Sequence, residues 1–280
     1  MRFVKRRMID QSIVLTCVAL IALVILFPLL WMFFSSFKPP QELFFRPPLV
    51  FPTTWTVRHY LDLFLMTDFA RYFANTFIVA AFACIIGVSV SLTGVYSLSR
   101  FHFIAARPFA FIMLTIYMLP PSLLVIPYFE MFHRFGLTNT LTSLTITYIG
   151  LTLPFSIWVL RPYIETIPRA LEEAAMVDGC TRFQAFRKII VPQAAPGIIT
   201  AFIFTFVIIW NELLYALVLI ADASKRTVGL AIASLISDDG IWSWGLVNAA
   251  GVAATVPILV VFVFLQRYMV SGLTGGAVKG

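Results

Sequence analysis

Long apolar runs separated by short polar segments set the pattern along this chain. Six runs carry no Asp, Glu, Lys or Arg: Gln11–Phe37, Tyr72–Ser99, Pro108–Phe129, Phe135–Leu160, Ile189–Asn211 and Gly240–Gln266. About 20 apolar residues carry a helix across the hydrocarbon core of a bilayer. None of the runs alternates polar and apolar residues as the strands of a membrane barrel do. The pattern predicts an all-α membrane protein with six transmembrane helices. The fifth is expected to continue past Glu212 to about Ala221. The expected organisation is an amino-terminal segment 1–10, a first span 11–37, a loop 38–71, a core 72–266 and a tail 267–280. Two polar loops, 161–192 and 222–239, belong to that core.

The polar loops differ in character. Lys38–Arg71 holds Pro39, Pro40, Pro47, Pro48 and Pro52, so its first half is expected to be extended and irregular. Asp222–Asp239 has polar ends and an apolar centre, Val228–Ile236, which reads as an interfacial segment or a contact surface. Between the fourth and fifth runs lies LEEAAMVDGCTRFQAFRKIIVPQAAPG. Pro168 suits a first helical position, and Glu172 and Glu173 suit the positive helix start. Gly179 reads as a left-handed stop, and Thr181 with Gln184 as the capping box of a second helix. Phe183, Phe186 and Ile190 form the apolar face of that helix, and Pro192 and Pro196 are expected to end it. The prediction is a rigid knob of two short helices.

Composition agrees with a bilayer: 60% of the 280 residues are hydrophobic and 12% charged, too apolar for a soluble domain of this size. The start, MRFVKRR, is basic. The apolar run behind it is long and has no small-residue cleavage pattern, so it is expected to be retained as a span. Cys17, Cys84 and Cys180 show neither disulfide nor metal spacing.

With six spans both termini share a side. Of the 20 Lys and Arg residues, Lys5, Arg6, Arg7, Arg187, Lys188 and seven others lie on that side together with Lys279. The opposite side holds Lys38, Arg46, Arg58, Arg71, Arg134, Lys225 and Arg226. The excess places the termini and the knob in the cytoplasm. It also accounts for the net charge of +7, which is therefore no argument for a nucleic-acid partner.

Small residues recur along one face of the second run, Ala80, Cys84, Gly87, Ser91 and Gly94, and allow close approach of another helix. Packing within the chain and an intersubunit or moving contact both remain open. Glu212, in Trp210-Asn211-Glu212, is the one acid placed within an apolar segment, where an unpartnered carboxylate costs several kcal/mol. It reads as a pathway or gate residue, or as an interhelical hydrogen-bond partner. His59, His102 and His133 are scattered, and H-E-x-x-H, G-x-S-x-G and phosphate-loop motifs are absent. No metal ligands or catalytic residues are expected in this chain, and no ATP hydrolysis by it alone.

Glu173-Ala174-Ala175, three residues, Gly179, nine residues, then Ile189-Ile190-Val191-Pro192 resembles the EAA loop of ABC-importer permeases. Val191, where that motif favours Leu, departs from it. Ser36-Phe37-Lys38, Asn75-Thr76, Tyr96 with Ser99-Arg100-Phe101, Gly136–Thr140 and Trp210-Asn211-Glu212 resemble the carbohydrate branch of that family. The end, Gly272–Gly280, is similar to the tail of the smaller permease of maltose-type importers. The resemblance implies a type I importer fold in a bacterial or archaeal plasma membrane. It implies a second permease subunit, a cytoplasmic ATPase dimer and an extracytoplasmic sugar-binding protein as partners, besides membrane lipid. ATP and Mg would be held by the ATPase subunits, and no cofactor by this chain.

The same resemblance implies ATPase coupling through Glu172, Glu173, Ala174, Ala175, Asp178, Gly179 and Pro192. It also implies coupling by the tail residues Gly272, Leu273, Thr274 and Lys279, whose glycines would not hold a helix alone. Trp210, Asn211 and Glu212 are pathway or gate candidates. Ser234, Asp238, Trp242 and Trp244 are candidate contacts for the binding protein, with a membrane-interface anchor as the other reading of the tryptophans. The expected function is that of the permease subunit of an ATP-driven sugar importer. The alternatives are a glycerol-phosphate ester or glycoside osmolyte as substrate, or a stand-alone ion-coupled carrier.

Overall fold

The computed structural model describes the backbone of residues 2–101, 106–238 and 244–277; side chains are described within these except at 2–13, 106–107, 110, 114, 237–238 and 267–277. The described residues are helical with connecting turns. Among the described residues four helices are long and apolar enough to cross a membrane, and counting each of two bent helix pairs as one span gives up to six. The chain divides into two compact units, one drawn from Met1–Phe69 and Ile232–Thr255, the other from Ala70–Ala231 and Val256–Gly280.

In the first unit, helix α1 (Arg2–Ser36) begins well upstream of the expected residue 11, and its apolar part is Val14–Ser36. The 38–57 loop is irregular apart from one tight turn at Glu42–Phe44, and α2 (Arg58–Leu65) follows. Side chains hold this loop closed. Glu42 accepts from Thr53 N at 3.0 Å, Thr54 N at 3.3 Å and Thr54 Oγ1 at 3.1 Å, and also from the Thr53 hydroxyl. Lys38 Nζ lies 4.6 Å over the Trp31 ring, and burial lowers its pKa.

The second unit carries most of the apolar runs. Helix α3 (Phe69–Arg100) is unbroken and proline-free. Its small-residue face is buried: a Cβ on Gly87 would meet Thr152 Oγ1 at 3.7 Å, and Ser91 Oγ donates to Leu153 O at 3.5 Å. For that part of the stripe, packing within the chain is therefore the role observed. The third run is not one span-long helix. Helix α4 (Ala106–Met118) stops before Pro120 and Pro121, a tight turn covers Pro121–Leu124, and α5 (Val125–Arg134) leaves at 95°. Two consecutive prolines remove the N–H donors and push the preceding residue out of helical geometry.

The fourth run is displaced toward its carboxyl end. Gly136 and Asn139 take left-handed φ of 66° and 60°, and Thr140 caps α6 (Leu141–Glu165) by accepting from Ser143 N at 3.2 Å. The knob follows as α7 (Arg169–Val177) and α8 (Arg182–Ala185). The second knob helix passes Pro192 and ends at Gln193, between the two expected terminators Pro192 and Pro196. A wide turn over Phe186–Ile190, in which Val191 N–H reaches Phe186 O, leads into α9 (Val191–Gln193). The wide turn spares the Lys188 carbonyl a clash with the proline ring. The chain then bends by 72° into α10 (Ala195–Trp210).

The fifth span does not run through Glu212 to Ala221. It breaks after Trp210 and resumes as the short α11 (Leu214–Leu219). A single turn at Ala223–Lys225 precedes α12 (Val228–Asp238), so the apolar centre of the 222–239 loop is helical. Helix α13 (Trp244–Ala277) passes Pro257 and includes Gly272, Leu273 and Thr274. These tail residues are thus helical as the prolongation of a helix nucleated far upstream, not as a helix formed alone.

Two apolar clusters fill the second unit. One joins Val79, Ala80, Ala83 and Cys84 of α3 to Leu144, Tyr148, Phe206 and Trp210. The other joins Val88, Leu92, Val95 and Tyr96 of α3 to Ile157, Leu160, Ile164 and Ile190. Helix α3 contributes to both.

Candidate functional site

The 169–193 knob is built by local chemistry. At the end of α7, Gly179 takes φ +89°. Its N–H donates to Met176 O at 3.1 Å, and Cys180 N–H donates to Ala175 O at 2.9 Å. These two bonds are a complete Schellman motif. Two residues on, Thr181 Oγ1 accepts from Gln184 N at 3.3 Å while Gln184 Oε1 accepts from Thr181 N at 2.8 Å. Both expected devices are present, and together they leave the turn little conformational freedom.

The knob is tied to the carboxyl end of α3. Glu172 accepts from Tyr96 Oη at 2.9 Å and pairs with Arg100 Nε, and both members of the pair are only 8% exposed. Arg100 Nη2 donates to Ile167 O at 2.8 Å, just before α7. Arg169 Nη2 donates to Ser99 O at 2.7 Å. From the second knob helix, Phe186 packs on Tyr96 with ring centroids 4.7 Å apart, and Arg182 lies 4.9 Å over the Phe101 ring. A polar cleft of about 120 Å³ runs between Arg100 and Arg169, Glu173, Met176 and Arg182.

Much of the knob surface is open. Glu173, Ala174, Asp178, Gly179 and Pro192 are exposed, whereas Ala175 is buried. Val177 is 87% and Phe183 70% exposed. The apolar face expected from Phe183, Phe186 and Ile190 is therefore split: Ile190 is buried, Phe186 half-buried and Phe183 presented outward. A small, rigid surface with two bare apolar side chains and an acidic group suits docking by another protein.

The family of binding-protein-dependent transport system inner membrane components matches residues 90–275. The chain belongs to this family. Among its relatives, the diacetylchitobiose uptake system permease protein DasC of Streptomyces coelicolor is 39% identical over 91% of this chain and 92% of its own. The trehalose transport system permease protein SugB of Mycobacterium tuberculosis is 36% identical over 91% of this chain and 93% of its own. The fold is similar to that in the crystal structure of a bacterial ABC transporter involved in the import of the acidic polysaccharide alginate. The TM-score is 0.81 at 22% identity, covering 93% of this chain and 96% of that one. This chain is thus a multi-pass inner-membrane permease component, and the knob lies inside the matched region.

The remaining candidate residues of this permease scatter. Trp210 is 3% exposed and packs on Phe206 and Phe73. Asn211 is exposed and donates to Val207 O at 2.8 Å. Glu212 accepts from Tyr148 Oη at 2.6 Å and from Tyr215 N at 3.0 Å, which caps α11 across the break. That is the interhelical partner role. Ser234 and Asp238 lie on α12, and Trp244 begins α13 with its indole half exposed. Trp242 and Lys279 lie outside the described residues.

Sequence reasoning missed the anchoring of the 222–228 segment. Asn75 Nδ2 donates to Ser224 O and Arg226 O, each at 3.0 Å, and Thr76 Oγ1 accepts from Val228 N at 2.8 Å. Asn139 Oδ1 accepts from Ala221 N at 3.2 Å and Asp222 N at 2.9 Å, while Lys225 Nζ donates to Asn139 O at 3.0 Å. The Ser224 N–H bond and Lys225 lower the pKa of Asp222. Asn75 and the Gly136–Thr140 turn were visible as motif residues, but their partners lie far away in sequence.

Proposed function

We propose that this chain is one of two permease subunits of an ATP-driven, binding-protein-dependent sugar importer, and that the knob receives the ATPase. Its single strongest support is the EAA-like spacing, Glu173 to Gly179 to Pro192, realised as a rigid exposed turn on a chain of the permease family. Glu173 offers a charge-assisted bond to a basic group of the ATPase. Ala174 keeps that approach close, and Val177 and Phe183 supply apolar contact. Glu172 and Ala175, which are buried, hold the surface in place.

On this reading the knob and both termini are cytoplasmic, in the plasma membrane of a bacterium or archaeon. ATP and Mg reside on the ATPase dimer. The 222–238 segment faces the extracytoplasmic binding protein, and Ser234, Asp238 and Trp244 are its candidate contacts. The carboxyl-terminal extension of α13 reaches toward the ATPase with Gly272, Leu273 and Thr274. A sugar substrate follows from the carbohydrate-branch motifs and from the diacetylchitobiose and trehalose systems of the relatives.

The test is reconstitution of the chain with its partner permease, ATPase and binding protein in proteoliposomes. ATP-dependent accumulation of a di- or oligosaccharide, absent when any partner is omitted, is the expected result. Accumulation by this chain alone, driven by an ion gradient, would refute the reading.

A further inference from the structure

We propose that α3 is a rigid rod that couples the knob to the outward 222–228 segment, with Asn75 and Arg100 as the positioning residues at its two ends. The inference rests on the importer reading, because that reading places the ATPase at one end and the binding protein at the other. It adds a route between them.

The route follows from the latches and from what is unbroken. At its start, α3 holds the 222–228 segment through the two Asn75 bonds and the Thr76 bond. At its end, α3 holds the knob through the Arg100–Glu172 pair, the Tyr96–Glu172 bond and the Arg100–Ile167 bond. The latches sit on one proline-free helix of 32 residues, and from Asn75 to Arg100 it spans about 38 Å at 1.5 Å per residue.

The other helices long enough to span carry proline: Pro28 in α1, Pro154 and Pro162 in α6, and Pro257 in α13. The bent pairs turn by 95° and 72°. A displacement entering a kinked helix is absorbed where its hydrogen-bond ladder is open. In α3 the ladder is whole, and the helix is buried along one face by both apolar clusters. A shift of the knob must therefore either move the far end of α3 or break a latch.

The experiment uses the complete importer in proteoliposomes and measures ATP hydrolysis with and without sugar-loaded binding protein. Copurification of the ATPase reports assembly. Asn75→Ala and Arg100→Gln should each lower the stimulation ratio by about fivefold or more, the scale of ordinary coupling between sites. The double variant should lose no more than the worse single variant, because both act through one element; independent structural losses at distant sites would multiply. If Arg100→Gln fails to insert, Arg100→Lys carries the same test, since it retains the charge and loses the fork to Ile167. Full stimulation in either single variant, or multiplying losses in the double, would overturn the rod alone. A wild-type complex without any stimulation would defeat the importer reading and the rod with it.

Discussion

Glu172 and Glu173 are sequence neighbours in α7 with different surroundings: one is buried against Arg100, the other exposed at the rim of the same cleft. Successive helical residues point about 100° apart, so one motif can both fasten a helix and offer it to a partner. Only Glu173 retains a carboxylate free for a visiting cation.

The two acids should therefore fail differently. Glu173→Ala is expected to leave the permease stable and weaken its association with the ATPase by roughly 1.5–3 kcal/mol, the scale of a charged hydrogen bond. Glu172→Ala strands the buried Arg100 and should destabilise the chain itself by about 3–5 kcal/mol. Thermal unfolding in detergent beside ATPase copurification separates them. A Glu173→Ala variant with undiminished association would remove this residue from the docking surface.

Gly179 holds the left-handed corner, and no atom would crowd a Cβ there. The cost of substitution is thus conformational, about 1–2 kcal/mol for an ordinary residue and less for Asn. Gly179→Val should insert normally yet support less uptake than Gly179→Asn. Equal uptake from both would show that the angle of this turn is unimportant to coupling.

Tyr148 is expected to matter through Glu212. Tyr148→Phe deletes one bond to the carboxylate and leaves the Tyr215 N–H bond, so a loss of about 0.5–1.5 kcal/mol should follow. Glu212→Leu removes both and should cost more, with the start of α11 frayed. Hydrogen exchange at 213–217 reports the fraying. Protection there as strong as in the parent would mean that the carboxylate does not cap the helix.

Asn139 combines a left-handed backbone with two accepted N–H bonds. Asn139→Gly keeps the backbone free and loses only the bonds, about 0.5–1.5 kcal/mol each. Asn139→Ala loses the bonds and adds about 1–2 kcal/mol of strain. The Ala variant should melt below the Gly variant; the reverse order would refute the role of the backbone.

In the 38–57 loop, the Thr53 hydroxyl, with further bonds from Thr53 and Thr54, lowers the pKa of Glu42 from 4.5. A folded-state pKa below the unfolded one adds stability that is complete above the unfolded value and disappears as pH falls through the folded value. Protease resistance of residues 45–55 should hold at neutral pH and decline only below pH 4.5. Glu42→Gln should flatten that dependence, and an unchanged profile would exclude Glu42 as its source.

The elements legible in the sequence were those whose physics is local. The absence of charge over each run marked the spans, because hydrocarbon excludes unpartnered charge. Gly179 and the Thr181–Gln184 pair announced the knob, because a left-handed corner and a reciprocal cap each need only a few adjacent residues. The breaks were harder to read. Pro120 and Pro121 signalled an interruption but not its angle. Nothing local around Glu212 required the fifth span to stop at Trp210; the partner that receives the carboxylate, Tyr148, arrives from another helix. Pro192 and Pro196 bracketed the end of the second knob helix, but the wide turn that carries the helix past the first of them was not visible.

The sequence by itself determined that this is a multi-helix membrane permease with a charged two-helix knob, since apolar length, capping chemistry and motif spacing are properties of contiguous residues. Only the tertiary structure decided which of two adjacent glutamates is held inside, and that Asn75 and Arg100 tie opposite ends of one unbroken helix to segments distant in the chain. The physical reason is that a side chain's partner across a fold depends on where other helices lie, and no short stretch of sequence encodes that.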